Sequence, residues 1–279
     1  MESGKDHDVL LLKNIGVSYG NVDALRGVDF DLKRGEVHAI VGEHRAGKST
    51  LIKVISGAVQ RSSGDILLDG EAVHQLNPKS AIKARIATLY QDVNIVSTLT
   101  ATEFIFAGRM KTRGLGFLNK SAMEKEAERL FARYGIELDI RTPLCYLPED
   151  KQLMVELIKA LSIDPQIIIF DEISNKLTPE EMETIFRILL EYRAQGRSVI
   201  YISHNLDEIF EIADRVTVLK DGRRLGTEEI KDLDRIKLIK MTYSFVMTRE
   251  ELNQSNRELY FFKKYNEAII RNIPVGVII

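Results

Sequence analysis

The run Gly42-Glu43-His44-Arg45-Ala46-Gly47-Lys48-Ser49 places two glycines ahead of a lysine and a hydroxyl. It fits the G-x-x-x-x-G-K-[ST] pattern of a phosphate-binding loop. Successive backbone N–H groups and the start of the following helix can cradle phosphate oxygens. The pattern assigns Gly42, Glu43, His44, Arg45, Ala46, Gly47, Lys48, Ser49 and Thr50 to nucleotide binding. Lys48 would neutralise β- and γ-phosphate charge, and the Ser49 hydroxyl would ligate Mg²⁺. A second run, Ile167-Ile168-Ile169-Phe170-Asp171-Glu172, is an apolar strand-length stretch ending in two acids. There Asp171 would hold Mg²⁺ and Glu172 would polarise an attacking water. Many buried strands end in acids, so this run gains its meaning from the phosphate loop beside it.

These residues need elements to carry them. Short apolar runs predict strands at 9–13, 28–32, 36–41, 64–68 and 86–90. Residues 48–56, just after the Gly-rich loop, are helix-compatible. Residues 121–134 predict an amphipathic helix with Met123, Ala127, Leu130, Phe131 and Tyr134 on one face, and with Ser121 and Glu124 as a capping box. Residues 153–161 continue the helical character. Strands return at 167–170, 198–202 and 216–219, the last closing on Asp221-Gly222, and Thr178-Pro179-Glu180-Glu181 starts a helix. The alternation predicts an α/β fold interrupted by a helical insert at about 95–160.

Composition narrows the class. The chain has 279 residues, 41 acidic and 39 basic, for a net charge of −2. A hydrophobic content of 44% with low net charge excludes a disordered chain. One cysteine, Cys145, excludes a disulfide framework. Near-neutrality argues against a wide basic surface, so no nucleic-acid partner is expected. The polar N-terminus has no export signal and the apolar runs are too short for a membrane span. The expectation is a cytoplasmic protein, peripheral at the inner face of the plasma membrane where it meets a membrane partner.

Residues 8–245 resemble the nucleotide-binding domain of ABC transporters, most of all the ATPase subunits of bacterial simple-sugar importers. The resemblance implies a P-loop NTPase core, a mixed sheet flanked by helices with an antiparallel β part, plus the helical subdomain. It implies ATP and Mg²⁺ as ligands. Tyr19 sits where the family stacks an aromatic ring on adenine. Gln91, in Leu89-Tyr90-Gln91-Asp92, matches the loop joining the Mg²⁺ site to the helical subdomain, so Ser49, Gln91 and Asp171 form the implied metal set. Residues 152–161 match the helix after the family signature, and 171–181 match the Walker B strand with the D-loop. Ser203-His204 matches the switch histidine that contacts the γ-phosphate, which makes Glu172 and His204 the implied catalytic pair. The implied partners are membrane permease subunits and a head-to-tail dimer, with a second copy or with a related ATPase domain.

Three departures stand in that site. The signature, usually Leu-Ser-Gly-Gly-Gln, is here Leu147-Pro148-Glu149-Asp150-Lys151. Pro148 offers neither N–H nor hydroxyl, and Glu149 and Asp150 place negative charge where the signature should meet phosphate. Loss of one preorganised donor costs about 10²–10³ in rate. Arg45 stands where the family prefers glycine; it would either assist binding or restrict the loop. Asn175-Lys176-Leu177 is an atypical D-loop. Two readings of the activity stay open: an ATPase, slowed by its signature, that drives sugar-type import, or a hydrolysis-poor regulatory module. An ABC protein acting on nucleic acid or ribosomes is disfavoured by the charge.

The end of the chain differs. Residues 248–271 are charged and helix-compatible, within an expected helical linker at 246–272, and Phe245, Leu252 and Leu259 recur at heptad spacing. It reads equally as a coiled-coil seam or as a helix docked on its own domain. Residues 256–279 resemble the linker helix and opening strand of a PAS sensor domain, with 273–279 as the first strand of a following domain.

Overall fold

The computed structural model describes residues 8–92, 95–112 and 117–242. The predicted linker helix, its heptads and the PAS-like strand lie outside the described residues.

The chain opens with a hairpin of β1 (Asp8–Tyr19) and β2 (Val22–Lys33), Tyr19 facing Val22 at its tip. Next come β3 (Val37–Val41), α1 (Lys48–Ile55), β4 (Ser63–Leu68), β5 (Glu71–Ala72), α2 (Pro78–Lys83) and β6 (Ile86–Leu89). Three helices follow: α3 (Ala101–Ile105), α4 (Lys120–Tyr134) and α5 (Glu149–Leu161). The alternation then resumes with β7 (Ile167–Asp171), α6 (Pro179–Ala194), β8 (Ser198–Ile202), α7 (Leu206–Ile212), β9 (Arg215–Lys220), β10 (Arg223–Glu229) and α8 (Arg235–Thr242).

Two sheets result. One is antiparallel, in the order β2-β1-β4-β5. The other runs β10-β9-β3-β8-β7-β6, parallel except for the β10 edge. Every residue of β3, β7 and β8 is buried, as expected where a parallel sheet is covered on both faces. This accounts for the unbroken apolar run at 167–170. The core has three parts. Phe104, Phe131, Leu153 and Ile188 join the three inserted helices to α6. Leu10, Phe30, Leu51 and Ile169 fill the space between the sheets and around α1. Ile209, Val216 and Leu238 lie under α7 and α8. β3 feeds all three, through Val37, Ile40 and the pair Ala39 and Val41.

One local expectation fails. The side-chain oxygen of Asn119, not Ser121, caps α4, accepting from the Ala122 N–H at 3.3 Å. The cap falls two residues earlier, Ser121 lies inside the helix, and Glu124 faces Arg141 at 3.4 Å instead. Thr178 does cap α6, in a reciprocal box with Glu181. No helix among the described residues is long and apolar enough to cross a membrane.

Candidate functional site

β3 runs straight into the Gly42–Lys48 loop, and α1 begins at Lys48. Glycine is obligatory at both ends of this loop. A Cβ on Gly42 would sit 2.3 Å from the Leu219 carbonyl oxygen. Gly47 has φ +104°, and a Cβ there would press on Leu25 and the Ala24 carbonyl. The loop is braced from a distance: the Gly222 N–H donates to the Ala46 carbonyl at 3.1 Å, and the Arg26 N–H donates to the Gly222 carbonyl at 2.7 Å. The loop, the β1–β2 hairpin and the β9–β10 turn thus meet at one point.

Within the loop, the Ala46 N–H donates to the Glu43 carbonyl at 3.1 Å, closing a four-residue turn. Arg45, its third residue, has φ +66°. A type II turn needs that value there, and glycine usually supplies it. For an L-residue the left-handed region costs about 1–2 kcal/mol. His44 and Arg45 form the exposed crown of the turn, while Ser49 and Thr50 are half-buried at the start of α1.

The Lys48 ammonium is only 5% exposed. It donates to the Gly42 carbonyl at 2.8 Å and the Glu43 carbonyl at 3.2 Å, and lies 3.5 Å from Glu172 Oε1. Burial pushes its pKa down, and the nearby carboxylates oppose that shift.

The acids reach this point by strand register. β7 and β8 pair in parallel with Asp171 opposite Ile202, and the Glu172 N–H donates to the Ile202 carbonyl at 3.0 Å. Residues just past both strand ends therefore share one edge, and His204 Nε2 comes within 2.7 Å of Glu172 Oε1. Burial alone would raise the Glu172 carboxyl, but His204 and Lys48 together hold it below its usual value. Asp171 behaves oppositely. It is buried, Oδ1 has no hydrogen-bond partner, and desolvation with the Glu172 charge pushes its pKa up to about 6. Two adjacent carboxyls thus have opposed shifts in proton affinity.

The sequence-selected residues come together unequally. Lys48, Asp171, Glu172 and His204 form the centre. Extending the register Leu89↔Phe170 puts Gln91, which is exposed, level with Glu172 one strand away. Tyr19 is 49% exposed at the hairpin tip, on the same hairpin whose Ala24 and Leu25 back Gly47.

Sequence reasoning missed the support beneath His204. Glu208, buried in α7, accepts from the Tyr201 hydroxyl at 2.8 Å, the Ser203 hydroxyl at 2.6 Å and the Asn205 amide at 3.1 Å. Asn205 Oδ1 caps the same helix by accepting from the Asp207 N–H at 3.0 Å. This clamp fixes the loop that carries His204. Its sequence signal was an Asn ahead of an acidic first turn.

The altered signature is less bare than its acids suggest. Pro148 is the N-cap of α5, and Glu149 and Asp150 occupy its first turn, where the helix dipole favours acids. Lys151 Nζ lies 2.8 Å from Glu181 and 3.8 Å from Asp150, and Lys176 Nζ of the D-loop stands 4.0 Å from Glu149. Each of the two acids thus has a lysine within 4.0 Å.

Fold and loop together define a P-loop nucleotide-binding protein. Residues 25–175, more than half of the chain, match the ABC transporter family, and the chain belongs to that family. Among its relatives, a ribose import ATP-binding protein of Hahella chejuensis is 38% identical over 235 residues, covering 84% of this chain and 47% of that protein. A putative ribose/galactose/methyl galactoside import ATP-binding protein of Burkholderia lata is 41% identical over 234 residues, covering 84% and 46%. The chain spans about half the length of the curated relatives it matches. In fold it is similar to a nucleotide-free ATP-binding cassette from an ABC transporter (TM-score 0.71, 22% identity, 83% of this chain and 97% of that one). It is also similar to a bacterial ABC transporter cassette solved as a dimer (TM-score 0.69, 24% identity, 79% and 98%).

Proposed function

We propose that this chain binds Mg-ATP at the Gly42–Thr50 loop and hydrolyses it as an ATP-binding unit of a sugar-type importer. The observation that carries the reading is the convergence of Lys48 and His204 on one oxygen of Glu172, beside a buried Asp171 oxygen with no partner. That orphaned oxygen fits a cation. Among the described residues no group of three or more His, Cys, Asp and Glu side chains could hold a metal ion alone. An ion here would share ligands with phosphate and water, as Mg²⁺ does. Ser49, Gln91 and Asp171 are the residues that would hold it. When bound, Mg²⁺ neutralises charge on the phosphate oxygens.

The protein's own groups supply the rest. Backbone N–H groups of the loop and the start of α1 receive the phosphates, and Lys48 turns from the Gly42 and Glu43 carbonyls towards them. Glu172, whose carboxyl His204 and Lys48 hold below its usual value against the effect of burial, takes the proton of the attacking water. His204 holds Glu172 in place and faces the terminal phosphate. Tyr19 offers a ring to the adenine.

In this reading residues 1–245 form one ATP-binding domain with its helical subdomain at about 95–160. The domain works at the inner face of the plasma membrane, as a head-to-tail dimer beneath permease subunits. The relatives whose names specify ribose and galactoside import support the sugar class; they do not favour the regulatory alternative. The test is steady-state ATP turnover of the purified protein, alone and with a related ATPase domain. Turnover above a Glu172→Gln control is expected, and its absence in both settings would sink the motor reading.

A further inference from the structure

We infer that Arg45 is a selectivity residue that reads the terminal phosphate, so that this loop favours a nucleoside triphosphate over a diphosphate from within one chain. The inference rests on the nucleotide-binding reading above and names a further determinant of that site.

The backbone carries the first part of the argument. Arg45 is the third residue of the turn closed by the Ala46-to-Glu43 hydrogen bond, at φ +66°. Glycine would sit there without strain, and a side chain there is strained whatever it contacts. The sequence nevertheless places the longest cationic side chain at that point, next to a loop built to receive anions.

The surroundings carry the second part. Arg45 is exposed and makes no hydrogen bond or ion pair among the described residues, so no protein carboxylate accounts for its charge. The other cation of the loop, Lys48, lies buried at its base, against two loop carbonyls and Glu172, whereas Arg45 is exposed. Ala46 is tied to Gly222 and Gly42 is packed on Leu219, and His44 and Arg45 are the loop's two exposed residues. A guanidinium matches phosphate with two parallel N–H donors, a geometry that a lysine ammonium lacks.

The experiment measures ATP and ADP dissociation constants for the full chain by calorimetry at fixed Mg²⁺ and salt. It uses the native protein, Arg45→Gly, Arg45→Lys and Lys48→Ala. Arg45→Gly should weaken ATP binding about tenfold, leave ADP within twofold, and melt no lower than the native protein because backbone strain is relieved. Arg45→Lys should recover part of the ATP affinity. Unchanged ATP affinity in Arg45→Gly, or equal losses for ATP and ADP, overturns the inference. Full ATP affinity in Lys48→Ala would instead overturn the nucleotide-site reading itself, so the two failures are distinguishable.

Discussion

His204 Nε2 stands 2.7 Å from Glu172 Oε1, though 32 residues separate the two in sequence. The parallel register of β7 and β8 brings them together, because both strands end at one edge of the sheet. Burial would raise the Glu172 carboxyl, but His204 and Lys48 together hold it below its usual value.

Glu172→Gln should therefore separate binding from chemistry. The amide keeps the shape but cannot take a proton. Turnover should fall by about 10²–10⁴, the usual worth of a positioned base, while ATP affinity stays within a few fold. Single-turnover hydrolysis with filter-binding affinity on the same samples decides it, and near-native turnover would remove Glu172 from its role.

Lys48→Ala removes the buried cation of the loop. Charge-assisted hydrogen bonds contribute about 1.5–3 kcal/mol each, so binding of ATP and ADP should weaken at least tenfold. Fluorescent-nucleotide titration measures this. Affinity equal to the native value would show that phosphates bind elsewhere.

Asp171 makes the nucleotide-free protein sensitive to pH. Its pKa is raised from 3.8 to about 6, so the folded state binds a proton that the unfolded state releases. Stability from this group is greatest below about pH 4, falls as pH rises through 6, and is flat beyond 7. A two-unit shift corresponds to at most about 3 kcal/mol. Asp171→Asn should flatten this part of the denaturation profile in urea between pH 4 and 7. An unchanged slope would place the proton on another group.

Glu208→Ala should cost more stability than any surface change nearby. It leaves the Tyr201 and Ser203 hydroxyls buried without their acceptor, at about 1–3 kcal/mol for each unsatisfied group. Glu208→Gln keeps an oxygen for both hydroxyls and should lose less. Thermal melting ranks the three proteins. If the clamp also positions His204, turnover should fall in the Ala variant at temperatures where it remains folded.

The parts legible in sequence were those whose signal is local. The β3–loop–α1 unit is one unbroken stretch of 19 residues and the acidic end of β7 a much shorter one, and buried parallel strands announce themselves as apolar runs. The α4 cap was misplaced because Ser121 and Asn119 are both good caps two residues apart, and the entry of the chain chose between them. The nearness of Lys176 to Glu149 was invisible for another reason. Lys176 reaches Glu149 from the D-loop, a contact made only when α5 packs beside the segment after β7. The Glu208 clamp is nearer in sequence. It still needed the end of β8 and the first turn of α7 to fold together before its three donors shared one carboxylate.

The β9–β10 turn has one practical consequence. Asp221-Gly222 is a two-residue turn with positive φ at both positions, the kind of hairpin tip that protein engineers choose for an epitope tag or a spliced-in domain, although only Asp221 is exposed. In this chain Gly222 is the keystone between the β1–β2 hairpin and the phosphate loop, holding Ala46 through its N–H and Arg26 through its carbonyl. An insertion there would reach the nucleotide without touching a residue that binds it.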